Sequence, residues 1–352
     1  VIRVLVVDDS VAIRSLVSSL LGEDPEIEVA GVAPNGRLGL AKYQQLRPDV
    51  VTLDVEMPEM DGLETLKAIR KFHPSAAVIM FSSLTHRGAV TTFDSLAAGA
   101  VDYVAKPEAA NPNDLIAALK SDLITKVKLH GRPKGSNVLP IPVRASADPR
   151  PRPPQPQRIL PVDVIAIASS TGGPNALNVV IGALPKGLSV PVVIVQHMPQ
   201  VFTQMLAERL NSYSSIEVRE GREGDVVRAG CVYIAPGGFH METVRVGRNV
   251  VLQTHEGPPE NSCRPAADVL FRSVVNAYSG KVLGVVLTGM GQDGYRGSEA
   301  IRACGGQVIA QDEASSVVWG MPRMVAEAGL AHAILPLDQI ASEILKKVAN
   351  RG

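Results

Sequence analysis

Arg3-Val4-Leu5-Val6-Val7-Asp8-Asp9-Ser10 runs apolar and then ends abruptly in two carboxylates and a hydroxyl. A short continuous apolar run bounded by polar residues reads as a strand buried on both faces, the kind found in parallel sheets covered by helices. Comparable runs at residues 27–32, 50–53, 77–81 and 101–105 alternate with longer segments of helical period. This alternation predicts an α/β fold with a doubly wound, five-stranded (βα)5 sheet. In such a sheet, function gathers at the carboxyl ends of the strands, so the residues just beyond each run are the ones to inspect.

A second α/β series begins at residues 162–168 and continues at 191–196, 232–235 and 282–288. It predicts a second doubly wound, mainly parallel sheet. Alternation at 244–253 suggests an antiparallel strand at its edge, making the sheet mixed. Between the two series the chain is crowded with Pro, Arg and Ser, as in Pro149-Arg150-Pro151-Arg152-Pro153-Pro154. Such a segment buries too little apolar surface to fold and is expected to be an extended, solvated tether. The division is therefore 1–125, a tether at 126–160, and 161–349. Lys126, Lys128, Arg132, Lys134, Arg150, Arg152 and Arg158 make the tether basic.

A length of 352 residues suits two domains of ordinary size. With 45% hydrophobic and 20% charged residues the chain has the composition of a folded globular protein. Its 35 basic and 35 acidic residues cancel, so no net field favours nucleic acid or an anionic membrane. No apolar run approaches the roughly 20 residues that span a bilayer, so neither membrane insertion nor a signal peptide is expected, and a cytoplasmic monomer is. Cys231, Cys263 and Cys304 lack CxxC spacing and read as reduced thiols rather than a zinc or disulfide framework.

In the first domain the strand ends carry Asp8-Asp9-Ser10, Asp54, Ser82-Ser83 and Lys106-Pro107. Three carboxylates converging on one edge repel one another, and a hard divalent cation such as Mg²⁺ relieves that repulsion. Lys106 neutralises a further anion and Ser82 can donate to one. These are the parts needed to place a phosphoryl group on a carboxylate. Acidic helix caps explain Asp8, Asp9 and Ser10 taken alone, but not four strand ends together. On these residues, and on Leu-Asp54-Val-Glu-Met-Pro-Glu-Met-Asp-Gly, the segment resembles response-regulator receivers. The resemblance implies that Asp54 is the phosphoacceptor, at a solvent-facing strand end, with Asp8, Asp9 and Asp54 around the metal. It also implies Ser82, Tyr103 and Lys106 as the phosphoryl-responsive set, and a histidine kinase of the CheA type as phosphodonor.

In the second domain, the first strand runs into Ser169-Ser170-Thr171-Gly172-Gly173-Pro174 and a helical segment at 175–184. A strand, a tight glycine turn and a helix N-terminus can hold a serine hydroxyl over the sheet edge. Taken alone, the same motif suits a phosphate-binding loop equally well. His197 at the next strand end and Asp293 at a third favour a nucleophile, base and orienting carboxylate, since a phosphate site would recruit Lys or Arg. Glycines around Met290 leave backbone N–H groups for an oxyanion. His240 and His255 are cleft candidates with a structural role as the default, while His73, His86, His130 and His332 read as surface or terminal positions.

Residues 160–349 resemble the catalytic domain of chemotaxis protein-glutamate methylesterases, through Ser170-Thr171-Gly172-Gly173, Gln196-His197-Met198-Pro199, Ala235-Pro236-Gly237, Thr288-Gly289-Met290-Gly291-Gln292-Asp293-Gly294 and Gly320-Met321-Pro322. That resemblance implies Ser170 as nucleophile, His197 as base, Asp293 as orienting carboxylate and the Met290 N–H as oxyanion donor. It further implies no cofactor for the esterase step, methylated chemoreceptor cytoplasmic domains as substrate, and glutamine deamidation as a related activity. The family usually has Gly-Ala before its serine where this chain has Ala168-Ser169, which leaves two adjacent serines to choose between. A phosphorylation-gated module that binds a ligand in the Ser-Thr-Gly-Gly loop without chemistry is the rival reading.

Overall fold

The computed structural model describes residues 1–106, 112–131 and 160–349, in two compact units, Val1–Gln157 and Arg158–Gly352. The tether and Pro107 fall largely or wholly outside the described residues.

The first unit runs β1 (Ile2–Val7), α1 (Val11–Gly22), β2 (Ile27–Ala33), α2 (Gly36–Leu46), β3 (Val50–Asp54), α3 (Gly62–Phe72), β4 (Ala77–Ser82), α4 (His86–Ala97), β5 (Asp102–Ala105) and α5 (Pro112–His130). The helix starts are written into the sequence. The Ser10 hydroxyl accepts from Ile13 N, and Asp61 forms a capping box with Glu64. All strand pairs are parallel, in the order β2-β1-β3-β4-β5. Val4, Val6, Ile79, Phe81 and Val104 pack on Val17 and Leu21 of α1 and on Leu123 and Val127 of α5, following the two-residue period of a strand face. The strand order reverses between β1 and β3, and Asp8 and Asp54 stand at that reversal. α5 continues to His130, taking up the first five residues of the expected tether, and His130 Nε2 lies 3.5 Å from Asp102 Oδ2. His130 is thus packed against β5 rather than standing at the surface.

The second unit contains β6 (Val164–Ser169), α6 (Gly173–Gly182), β7 (Val192–Gln196), α7 (Gln200–Tyr213), β8 (Glu217–Glu220), β9 (Cys231–Ile234), β10 (His240–Val246), β11 (Asn249–His255), α8 (Ala267–Ala277), β12 (Val282–Val286), α9 (Tyr295–Ala303), β13 (Gln307–Gln311), α10 (Met321–Glu327), β14 (Ala333–Leu335) and α11 (Leu337–Ala349). Its seven-stranded sheet has the order β14-β13-β12-β6-β7-β9-β8, and every pairing is parallel. The expected mixed sheet is therefore corrected. Residues 244–253 are not one edge strand: they span the end of β10, a turn, and most of β11 in a separate antiparallel hairpin. Its two-residue loop is Gly247-Arg248, with Gly247 at φ +60, the glycine-first turn suited to strand twist. Alternation passes through such a turn unbroken, which is why the two strands read as one.

β6 lies mid-sheet, with β7, β9 and β8 outward on one side and β12, to which the chain returns, on the other. The ends of β6, β7 and β12 therefore form the crevice where a doubly wound sheet binds ligands.

Candidate active site

Ser169 and Ser170 leave β6 together but meet different surroundings. Ser169 is fully buried, and its hydroxyl donates to Gln196 Oε1 at 2.7 Å. Gln196 Nε2 then donates to the Ser170 carbonyl at 2.9 Å and the His197 carbonyl at 3.2 Å, stapling the end of β7 to the turn after β6. Ser170 is half-buried, and among the described residues its hydroxyl makes no hydrogen bond. The turn itself depends on Gly172, at φ +75, a conformation costly for any residue with a Cβ. Gly289 lets a second backbone approach, since a Cβ there would stand 2.8 Å from Ser170 Cβ.

Ser169 pairs in register with Gln196, and His197 N donates to the Ser169 carbonyl at 3.1 Å, so Ser170 and His197 emerge side by side from neighbouring strands. His197 Nε2 lies 2.8 Å from Asp293 Oδ2. Asp293 is buried and also accepts from Ala267 N, Asp268 N and Gly294 N at 2.6, 3.0 and 3.1 Å. Burial disfavours its charge, but the His197 bond and these N–H donors hold the carboxyl below the ordinary carboxylate value. Because a carboxylate only accepts, Nε2 carries the proton of the neutral ring and Nδ1 is its unprotonated nitrogen.

Burial pulls the His197 imidazole down, yet the Asp293 hydrogen bond and then the Cys263 contact raise it to about 10. Only the neutral ring takes a proton, so kcat/KM is expected to climb with pH across the window from 6.5 to about 10. A pH–rate profile of ester hydrolysis checks this; a plateau already complete below pH 7 contradicts it.

Around Met290, Gly291 has φ +87, and among the described residues neither N–H donates a hydrogen bond, leaving both to a ligand oxygen. His240 does not compete as base: its Nδ1 accepts from Ala266 N at 3.3 Å and its Nε2 donates to the Pro258 carbonyl at 3.0 Å. His255 pairs with Glu242 at 3.5 Å. His332, expected at the surface, accepts from Val308 N, and burial with Arg302 nearby lowers its pKa to about 4.

Two neighbours of the site were not legible as such. Cys263 Sγ lies 3.6 Å from His197 Nδ1, and Asn261 Nδ2 lies 3.0 Å from Asp293 Oδ1. Nothing in their spacing marks them, because a single turn brings both to the site.

In the first unit, Asp8, Asp9 and Asp54 bring carboxylate oxygens within 4.8 Å of one another. Lys106 Nζ lies 2.9 Å from Asp8 Oδ2 and 2.8 Å from Asp54 Oδ1. Asp54 Oδ2 is buried without a hydrogen-bond partner, which fits a hard divalent cation accepting that oxygen. Asp54 is only 2% exposed, against the expectation of a solvent-facing strand end. Burial, eased by Lys106 and worsened by Asp8, raises its carboxyl to about 6. Ser82 is fully buried, and Lys106 N donates to its carbonyl at 2.6 Å. Tyr103 is buried beneath Lys126, whose Nζ donates to the Tyr103 carbonyl at 2.6 Å.

Residues 165–344 match the CheB methylesterase family, and residues 4–120 match the response regulator receiver domain. A protein-glutamate methylesterase/protein-glutamine glutaminase of Trichodesmium erythraeum is 50% identical over 98% of this chain and 99% of its own length. The chain belongs to the protein-glutamate methylesterase family. A second methylesterase/glutaminase, from Nocardioides sp., is 48% identical over 99% of this chain and 96% of its own. The crystal structure of the Thermotoga maritima CheB methylesterase catalytic domain superposes with a TM-score of 0.52 at 40% identity, covering 53% of this chain and 99% of that one. Among the described residues of this methylesterase, no helix is long and apolar enough to cross a membrane.

Proposed function

We propose that this enzyme hydrolyses glutamyl methyl esters on the cytoplasmic helices of chemoreceptors, deamidates receptor glutamine by the same chemistry, and is regulated by phosphorylation of Asp54. The carrying observation is the His197–Asp293 pair, 2.8 Å apart, at the end of the strand that pairs with the one leading into Ser170. Ser170 Oγ attacks the ester carbonyl as its proton passes to His197 Nδ1, and the Met290 N–H supports the oxyanion. The C–O bond then breaks and His197 returns the proton, so methanol leaves; with glutamine the leaving group is ammonia. Water, deprotonated by the same nitrogen, cleaves the acyl-enzyme and restores the serine.

In the receiver, Asp54 is the nucleophile toward a histidine kinase's phosphoryl group. Asp8, Asp9 and Asp54 would hold a Mg²⁺ ion, which when bound would screen the charge between that carboxylate and the incoming phosphate. Lys106 and Ser82 then receive the transferred oxygens, and Tyr103 answers the change. A cytoplasmic site of action follows from receptor substrates of this kind. Measuring methanol release from methylated receptor, with and without acetyl phosphate, tests the whole reading. Activity that ignores the phosphodonor removes the regulatory half, and no methanol at all removes the enzyme.

A second nucleophile has one observation in its favour, the Cys263 thiol against His197 Nδ1. Ser170 is preferred because it stands at the turn into α6, beside the free N–H groups of Met290 and Gly291. Cys263→Ser is therefore expected to keep activity within about tenfold, since a neighbour of the base is altered but not the bond-forming atom. Labelling by a serine-directed phosphonate should persist in that variant; its loss would transfer the role to the thiol.

A further inference from the structure

The segment that carries both unforeseen neighbours is the turn Glu260-Asn261-Ser262-Cys263. Glu260 N donates to the Cys263 carbonyl at 3.1 Å and Cys263 N to the Glu260 carbonyl at 2.9 Å, closing the turn from both sides. Asn261 and Ser262 occupy its central positions at φ +52 and φ +62, the left-handed pair of a type I′ turn. Asparagine tolerates this conformation better than other residues with a Cβ. The turn is gripped from α8, where Arg272 makes a two-pronged pair with Glu260 at 2.8 and 2.6 Å.

So held, the Asn261 carboxamide faces two buried carboxyl groups. Its Nδ2 lies 3.0 Å from Asp293 Oδ1 and 2.9 Å from Asp268 Oδ2. An amide nitrogen has two hydrogens, and each of these oxygens takes one. Gln292 Nε2 approaches Asn261 Oδ1 from the other side at 3.5 Å, consistent with that orientation of the amide. Asp268 is otherwise held by Gly297 N, at 2.6 Å from Oδ1.

We propose that Asn261 is a positioning residue of the methylesterase site, placed by its turn between Asp293 and Asp268 so that Asp293 stays ionised and aimed at His197. This rests on the reading of Ser170, His197 and Asp293 as the hydrolytic set. Two buried carboxylates this near each other do not both remain charged without a donor between them; one takes up a proton. The surroundings already favour that proton on Asp268, whose carboxyl is raised to about 6 by burial first and by the charge of Asp293 among lesser causes. Without Asn261 the proton would be shared with Asp293, and His197 would lose its counter-charge as pH falls. The other charged and titratable groups around the pair are His197, Cys263, Glu260, Arg272, His240 and Arg296, all unchanged by a substitution at Asn261.

Asn261→Gly is the cleanest test, because glycine keeps the left-handed turn while removing the carboxamide. In the full-length protein acting on methylated receptor, kcat/KM at pH 7 is expected to fall about 10- to 100-fold, the usual scale for a partner of a site residue. The limb of its pH profile that belongs to Asp293, on the acid side of the His197 titration, should move upward by about one unit. Asn261→Asp, which adds a third carboxylate at nearly the same volume, should move the limb further in the same direction. Thermal unfolding of both variants accompanies the kinetics. A wild-type pH profile in folded Asn261→Gly or Asn261→Asp overturns the inference, whether or not the rate has fallen. Ser170→Ala run beside them separates the two levels: if it stays active, the underlying reading fails, and if it is dead while Asn261→Gly is normal, only the role of Asn261 fails.

Discussion

Ser170→Ala is expected to lower kcat for methyl ester hydrolysis by about 10⁴-fold or more, the scale on which loss of a nucleophile disables a triad that acts as a unit. Ser169→Ala should stay within about tenfold of wild type, since the Ser169 hydroxyl bonds Gln196 and faces no substrate. Its effect belongs to stability. Removing a fully buried donor strands Gln196 Oε1, at a cost of about 1–3 kcal/mol. The two variants thus separate along different axes, and methanol release with thermal unfolding measures both. An inactive Ser169→Ala with normal stability would mean that the turn after β6 presents the other hydroxyl in solution.

Asp54→Asn is expected to abolish phosphorylation by acetyl phosphate and, with it, the activation that phosphorylation brings. Couplings between sites run at about 1–3 kcal/mol, so the missing activation amounts to roughly 5- to 150-fold. The same variant should fold at least as well as wild type. The Asp54 carboxyl titrates at about 6 instead of 3.8, so the stability it contributes is full below 3.8 and is lost as pH rises through 6. Asparagine has no such loss. Without divalent cation, Asp54→Asn should therefore melt higher than wild type at pH 7.5 and converge with it near pH 4. Phosphorylation that survives the substitution would move the acceptor to Asp8 or Asp9.

Much of this site was legible along the chain because a parallel sheet places chemistry at predictable positions. Asp8, Asp54, Lys106, Ser170, His197 and Asp293 each follow an apolar run, and a run of that kind ends where the sheet edge begins. Three strands of the second sheet are not apparent from the sequence. β8 is Glu217–Glu220, with one buried apolar residue among charges; β14 has three residues; β13 has three apolar residues between two glutamines. None carries enough apolar sequence to stand out, and pairing with a neighbouring strand makes each of them a strand. The hairpin across 244–253, which alternation presents as a single strand, has the opposite cause: its pattern is strong, but alternation does not register where the chain reverses.

Read alone, the sequence determined that there are two helix-covered α/β sheets with a proline-rich segment between them, and which strand ends carry the candidate reactive groups. Those properties are local, set by residue period and by the polarity just past each strand. Only the tertiary structure decided which of two adjacent serines is bonded to Gln196, which imidazole nitrogen faces Asp293, and that Cys263 and Asn261 stand against that pair. Each of these turns on a contact between distant residues: Ser169 with Gln196, 27 positions away, His197 with Asp293, 96 positions away, and Cys263 with His197, 66 positions away. Side chains facing opposite ways from one strand are distinguished by what packs against each face, and that is settled only when the neighbouring strands and the turn before α8 are in place.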